Sequence, residues 1–287
     1  MTRLTWDGTG NREYETGVDH GVLYIPSGGT YSTGVAWNGL STVTETPSGA
    51  EANPVYADNI KYLNLLSVEE FGGTIEAYTY PDEFTQFDGG VVLNGGVRIG
   101  QQNRPPFGLC YRTRVGNDVE GDDFGYKLHL VYGAQASPSE RAYASVNDSP
   151  EAIAFSWEFS TTPVAVTGHK PTSLVTIDST KVDPDDLAAL ELILYGSTGV
   201  NPRLPLPDEV VALFSGTATA VTPTTPTFAN NTITIPNDAD TVYYVDGEPV
   251  TGTVAVDPGE TVFVTAQPAP GGYFSEGVDN DWSFTGV

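Results

Sequence analysis

Cysteine is nearly missing from this chain. Cys110 stands alone among 287 residues, which excludes an internal disulfide and a thiolate zinc cage and leaves no mark of an oxidising compartment. Cations are scarce too: 12 Lys and Arg face 37 Asp and Glu, a formal net charge of −25. A surface of that sign repels a phosphate backbone, whose binding is built from Lys and Arg contacts and counterion release, so tight DNA binding by the whole surface is not expected. Solubility is the plainest use of such charge. Apolar runs of about 18 residues, the length that spans a bilayer as a helix, are absent. The opening Met1-Thr-Arg-Leu-Thr-Trp lacks the charged head and apolar stretch of an export signal, and residence in a cytoplasm is the expectation.

Chemistry-bearing patterns are equally thin. The three histidines, His20, His129 and His169, are far apart and none has the spacing of a helical metal site. His129 alternates with hydrophobes and is expected at a surface or interface. No nucleophile elbow, phosphate-binding loop or dinucleotide fingerprint occurs. Carboxylate neighbours such as Glu69 with Glu70 or Asp122 with Asp123 say little in so acidic a chain. The stretches 117–123 (NDVEGDD) and 279–281 (DND) carry oxygen ligands suited to calcium, but neither follows the EF-hand spacing, and solvated turn charge is their ordinary use. No catalytic residue, cofactor or metal is expected.

What the chain does have is turns between short β-type runs: 32 Gly and 21 Pro separate β-branched and aromatic segments, the habit of an all-β protein. In residues 124–132, Phe124, Tyr126, Leu128, Leu130 and Tyr132 share one face, with Lys127 and His129 on the other. Ile153, Phe155, Trp157 and Phe159 likewise alternate with Ala154, Ser156 and Glu158. Both runs predict half-buried antiparallel strands. Residues 56–66 and 73–80 read as a further strand pair, joined through 67–72. The second of these has two mixed faces, Thr74, Glu76, Tyr78 and Tyr80 against Ile75, Ala77 and Thr79. Such a strand suits a polar channel wall or an edge completed by another subunit. One helix is predicted over 184–195, capped by Asp183, opened by Pro184, with Asp185 and Asp186 in its first turn, an apolar stripe of Leu187, Leu190, Ile193 and Leu194, and a stop at Gly196.

Composition then shifts. Residues 216–227 (GTATAVTPTTPT) read as an extended linker, and 228–287 carry strand-like runs at turn-punctuated spacing that suits a small β-sandwich. Residues 204–287 hold 11 acidic and no basic residues, so copies of this module repel one another and belong on the outside of any assembly. Five of the twelve cations, Arg98, Arg104, Arg112, Arg114 and Lys127, fall close together. The first four are candidates for salt bridges to a neighbouring subunit, with an intramolecular set as the alternative.

Several strings, in this order, carry a family likeness: 56–84 (YADNIKYLNLLSVEEFGGTIEAYTYPDEF), 100–111 (GQQNRPPFGLCY), 121–133 (GDDFGYKLHLVYG), 138–161 (PSERAYASVNDSPEAIAFSWEFST), and from 177 the runs DPDDLAALELILYG and PRLPLPDEV. Over residues 1–215 the chain resembles the major tail-tube proteins of long-tailed, siphovirus-type bacteriophages. That resemblance implies a virion subunit, assembled in the bacterial host cytoplasm, that forms hexameric rings stacked head to tail. Genome DNA would pass through the lumen without specific binding, and a wall that does not attract phosphates lets a duplex slide. Tape-measure, tail-terminator and baseplate or initiator proteins are the further partners it implies, with no membrane.

The expected fold is therefore mainly β: a tail-tube β-sandwich or partly open barrel with one packed α-helix over 1–215, a linker over 216–227, and a small immunoglobulin-like β-sandwich over 228–287. Lumen candidates are Glu76, Ser156 and Glu158. Ring-interface candidates are Tyr56, Asn59, Lys61, Tyr62, Tyr78 and Tyr80. A carbohydrate-binding or adhesin-type module, a capsid-decoration protein and a glycosidase with a carboxylate pair stand as alternatives.

Overall fold

A computed structural model describes residues 6–94, 96–146, 148, 152–197, 200–215, 219–245, 248–269, 272–274 and 278–286. Among the described residues the protein is mainly β, with mostly antiparallel sheets and two α-helices. By contacts it divides into two compact units, Met1–Gly29 with Val35–Thr180, and Thr30–Gly34 with Lys181–Val287.

The first unit carries β1 (Tyr14–Ser27), β2 (Thr30–Trp37, shared with the second unit), β3 (Leu40–Glu45), β4 (Ser48–Gly49), β5 (Ala52–Ala57), β6 (Ile60–Leu66), β7 (Glu69–Glu70) and β8 (Gly72–Ala77). After a 3-10 turn at Asp82–Gln86 follow β9 (Val91–Asn94), β10 (Val97–Ile99), β11 (Phe107–Asn117), β12 (Gly121–Ala136), β13 (Phe155–Thr161) and β14 (Leu174–Asp178). The main sheet runs β2-β1-β11-β12-β13-β8-β3, with β14 also on β12. The long strand β12 divides one edge between two partners: β14 pairs with 127–131 and β13 with 134–136. Gly133 makes that division possible. Its φ is +61°, and a Cβ there would lie 2.3 Å from Thr162 O, so only glycine bends the strand at this close approach.

The bend turns β13, β8 and β3 over the face of β1, β11 and β12, and β3 returns against β1, where Leu40 fills the space a side chain at Gly21 would need. Between the layers lies an aromatic core of Trp37, Phe84, Phe87, Phe107, Tyr111, Trp157 and Phe159 with Leu23, Ile75, Leu109 and Val131. Phe84 meets Trp157 edge-on at 5.2 Å and Phe107 at 5.5 Å, geometries worth about 0.5–1.5 kcal/mol beyond area burial.

The alternation read in 153–159 holds within β13, with Trp157 and Phe159 inward and Glu158 outward, but the strand begins at Phe155, and Ile153 lies before it and is exposed. Along β12 it does not hold. Leu128, Leu130 and Tyr132 are buried on one face, but His129, Val131 and Ala134 are buried on the other, because the second half of this strand is central and covered on both sides. His129 is thus interior rather than at a surface.

The strand pair expected from 56–66 and 73–80 is also different. β6 pairs backwards with β5, and β8 pairs with β3 and β13. The run beginning at Tyr56 is broken by a turn at Asp58 and Asn59, both at positive φ, which Asn and Asp tolerate through their short polar side chains.

In the second unit, α1 (Pro184–Tyr195) has the expected caps: Asp183 Oδ1 accepts from Asp185 N at 2.9 Å, and Gly196 ends the helix at φ 75°. Leu187, Leu190, Ile193 and Leu194 are its buried stripe, with Ala189. A second helix, α2 (Pro207–Phe214), corrects the expectation of one. Its start has the same local signals, Pro207 at the first position and Asp208 and Glu209 in the first turn.

The remaining strands are β15 (Thr219–Val221), β16 (Thr227–Ala229), β17 (Thr232–Thr234), β18 (Thr241–Val245), β19 (Glu248–Val250), β20 (Thr253–Ala255), β21 (Thr261–Pro268), β22 (Gly272–Phe274) and β23 (Asp281–Thr285). They form sheets β19-β18-β21-β23 and β16-β17-β20 around Ile233, Ile235, Tyr243, Val256, Val262, Val264 and Ala266. Part of the stretch read as a linker belongs to this unit. Residues 216–218 lie outside the described residues, but β15 pairs in parallel with β22, and Thr224 is held from both sides. Its carbonyl lies 2.6 Å from the Tyr243 hydroxyl, and its amide donates to Asp238 at 3.0 Å.

Candidate assembly surfaces

One ladder leaves the main sheet without interruption. β3 pairs with β8 from Thr42↔Glu76, β4 with β7 at Ser48↔Glu70, and β5 with β6 from Ala52↔Leu66 to Val55↔Leu63, all in a single register. Hydrogen bonds from Thr46 N to Gly72 O (2.7 Å) and from Ser67 N to Glu51 O (3.1 Å) carry it across the gaps. A one-residue slip precedes the tip, where Asp58 and Asn59, with φ of 51° and 63°, match the type I′ turn that strand twist favours. The arm's first strand is bent at Gly49 and Ala50, whose φ angles are 80° and 51°.

The arm is exposed throughout except at Ala57, which is half-buried. From Ile60 to Val68, Ile60, Tyr62, Leu66 and Val68 fall on one side and Leu63 and Leu65 on the other, and all are exposed, Leu66 at 70% and Val68 at 82%. Both faces are therefore apolar. Among the described residues neither β5 nor β6 has a second neighbour, so both edges present unpaired main-chain groups. A second exposed two-stranded hairpin, β9 with β10, shows Val91, Val92, Leu93, Val97 and Ile99 to solvent.

Of the ring-interface candidates, Tyr56, Asn59, Lys61 and Tyr62 come together on this arm. Tyr78 and Tyr80 do not, because β8 ends at Ala77 and they follow the end remote from the arm. Tyr78 is exposed. Tyr80 packs edge-on at 5.3 Å against both Phe155 and Trp157, since the chain turns after Ala77 and its alternation no longer applies.

Glu76, Ser156 and Glu158 share one surface. The pairings place Thr42, Glu76 and Ser156 in one row and Thr44, Thr74 and Glu158 in the next but one, opposite the face that buries Ile75 and Trp157. The result is a threonine-rich, acidic sheet face without a basic residue in these rows.

The four arginines all have carboxylates within the chain. Arg112 grips Asp19 through Nε (2.7 Å) and Nη2 (3.0 Å), and Arg114 lies 3.4 Å from the same carboxylate. This fork, with His20 adding a smaller pull, lowers the Asp19 pKa from 3.8 to about 2. Arg98 meets Asp82, and Arg104 lies 3.8 Å from Asp88. Sequence gave no hint of Asp19 as the shared partner, because strand pairing of β1 with β11 brings it there from 93 positions away.

A further polar cluster ties the two layers. Tyr111 Oη donates to Glu45 Oε1 at 2.5 Å, and the Tyr111 ring stacks on His129 at 4.6 Å. His129 places Nε2 3.0 Å from Thr113 Oγ1 and Nδ1 3.2 Å from Glu45 Oε1. His129 first, then Tyr111, holds the Glu45 carboxyl below its usual range against the upward push of partial burial, and burial with Glu45 raises the Tyr111 phenol. Hydroxyl, imidazole and carboxylate follow the order of a nucleophilic relay. Glu45 also accepts from Tyr111, so the group ties β3 to β11 and β12.

Among the described residues no group of three or more His, Cys, Asp or Glu is placed to hold a metal ion, and no helix is long and apolar enough to cross a membrane. Asn117 Oδ1 accepts from the amides of Val119 (2.9 Å) and Glu120 (2.6 Å), which makes it a turn cap. No protein-family model matches the chain, and no curated protein is similar to it in sequence.

Proposed function

We propose that the chain is a self-assembling structural subunit of the phage tail-tube kind, polymerising as stacked hexameric rings around a channel for genome DNA. The observation that carries this reading is the arm. A two-stranded hairpin is marginal in water by itself, and this one exposes apolar side chains on both faces and hydrogen-bonding groups on both edges. Burial against another subunit offsets both costs, at about 1.5–3 kcal/mol for each large aliphatic side chain fully covered, while edge pairing satisfies the main chain. A second copy is the occupant in this reading, because a homopolymer gives every copy of the arm a place.

In such a tube the sheet face bearing Glu76, Ser156 and Glu158 lines the channel, where its charge keeps DNA from adhering. The arm and the β9–β10 hairpin join neighbouring subunits, and the wholly acidic C-terminal β-sandwich, an immunoglobulin-like decoration in this reading, stands outside. Initiator, tape-measure and terminator proteins set where such a tube starts and stops.

The arm is testable without disturbing the core. Leu65→Asp with Leu66→Asp leaves the monomer's thermal midpoint near that of the wild type, since exposed positions move stability by only about 0.5 kcal/mol, and abolishes higher species in sedimentation velocity. Unchanged assembly of the double variant would remove the arm, and with it this reading's main support.

A further inference from the structure

Beside the 3-10 turn and the β9–β10 hairpin lies a cavity of about 310 Å³, whose lining includes Tyr80, Thr85, Asp88, Arg98, Arg104 and Arg141. Three of the chain's twelve basic residues thus converge on one hollow of a molecule with formal charge −25. Among the described residues Asp88 is the only carboxylate in that lining, and it serves both Arg104 and Arg141. Arg98 turns to Asp82, whose side chain is 86% exposed, a pairing that water and salt weaken.

The cationic groups are incompletely matched. Arg104 Nη2 donates to the Asp88 carbonyl at 2.9 Å, but its Nε has no acceptor among the described residues, and Thr85 Oγ1, on a side chain more than nine-tenths buried, has none either. Arg141 is fixed by stacking over Tyr80 and Phe155, at 5.6 and 5.5 Å from the ring centroids, which holds a guanidinium in place with little entropy left to lose.

We infer that this cavity is a carboxylate socket, filled on assembly by an acidic side chain of a second copy of the chain. Fixed guanidinium groups recognise planar oxyanions through paired N–H donors, and a surplus of positive charge over the one lining carboxylate favours an incoming anion. A carboxylate is favoured over a nucleic-acid phosphate because the rest of the surface repels a polyanion, whereas a chain with 37 acidic residues supplies a carboxylate to any face it meets. The occupant rests on the assembly reading above, while the anion site does not.

The test uses the full chain, with inorganic phosphate as the probe and ionic strength held constant with sodium chloride. Calorimetric titration is expected to show one saturable site, weakened at least tenfold in Arg98→Gln, a half-exposed position that leaves the fold intact, and again in Arg104→Gln. Sedimentation velocity is expected to show phosphate shifting wild-type assemblies to smaller species beyond the effect of chloride, with that sensitivity lost in Arg98→Gln. Absence of saturable binding, or equal binding by the variants, overturns the socket. Binding that leaves assembly unchanged overturns the second-copy occupant and marks a site for a free anion. A chain that stays monomeric throughout overturns both the occupant and the assembly reading, and the titration still decides the anion site.

Discussion

Asp19 shows how one side chain can organise a charged surface. It holds Arg112 in a bidentate grip and Arg114 at longer range, and its carboxyl titrates at about 2 instead of 3.8. Because the folded value is depressed, the stabilisation is present above 3.8 and disappears as pH falls from there through about 2. Asp19→Asn is expected to cost about 1.5–3 kcal/mol at neutral pH, the range for hydrogen bonds to charged groups. Urea midpoints for the two proteins measured from pH 7 downward should converge near pH 2. A gap that persists undiminished at that pH would mean the pair acts through packing rather than charge.

At the scale of elements, legibility tracks how local the determinants are. The first helix could be read almost residue by residue, because its cap, its proline and its terminal glycine are sequence neighbours of the stripe they bound. The second helix carries the same opening but is only eight residues long and sits among prolines, so its period never had room to show. Strand β13 gave itself away by alternation; β12 did not give away its burial, since covering of both faces depends on partners far along the chain. Of the candidate residues, Ser156 and Glu158 were legible as one strand face through period-two geometry, Glu76 joins them only through the pairing of β8 with β13, and Tyr80 was misplaced because that geometry stops at Ala77.

The arm was half-legible: 56–66 read as strand, but Pro54 masked β5 and the Asp58–Asn59 turn fell inside what read as one strand. Its proposed role makes a dynamic prediction. In the free chain the amides of 52–66 should exchange with solvent at close to unprotected rates, as expected of a hairpin with little buried contact, and they should become protected on assembly. Protection already present in dilute monomer would contradict the need for a neighbour.

For the whole molecule, charge and architecture make one argument. Among the described residues an acidic chain built mainly on antiparallel sheets pairs most of its arginines with its own carboxylates and leaves the apolar arm and the β9–β10 hairpin uncovered, features that support the proposed subunit of a DNA-conducting tube. Reversing Glu76 and Glu158 to Lys should leave folding within about 0.5 kcal/mol of the wild type, as surface changes do, yet convert the proposed channel face from repelling to retaining duplex DNA. Particles carrying that variant should release their genome more slowly in a dye-accessibility assay. Release at the wild-type rate would remove those residues from the lumen.

The central claim is self-assembly into a hollow tube, and negative-stain electron microscopy of the purified full chain across a concentration series addresses it most directly. Rings of six or hollow tubes, increasing with concentration and missing from the Leu65→Asp/Leu66→Asp variant, are the predicted result. Solid particles without a lumen, or single molecules at every concentration even when seeded with preformed tail initiator, would contradict it.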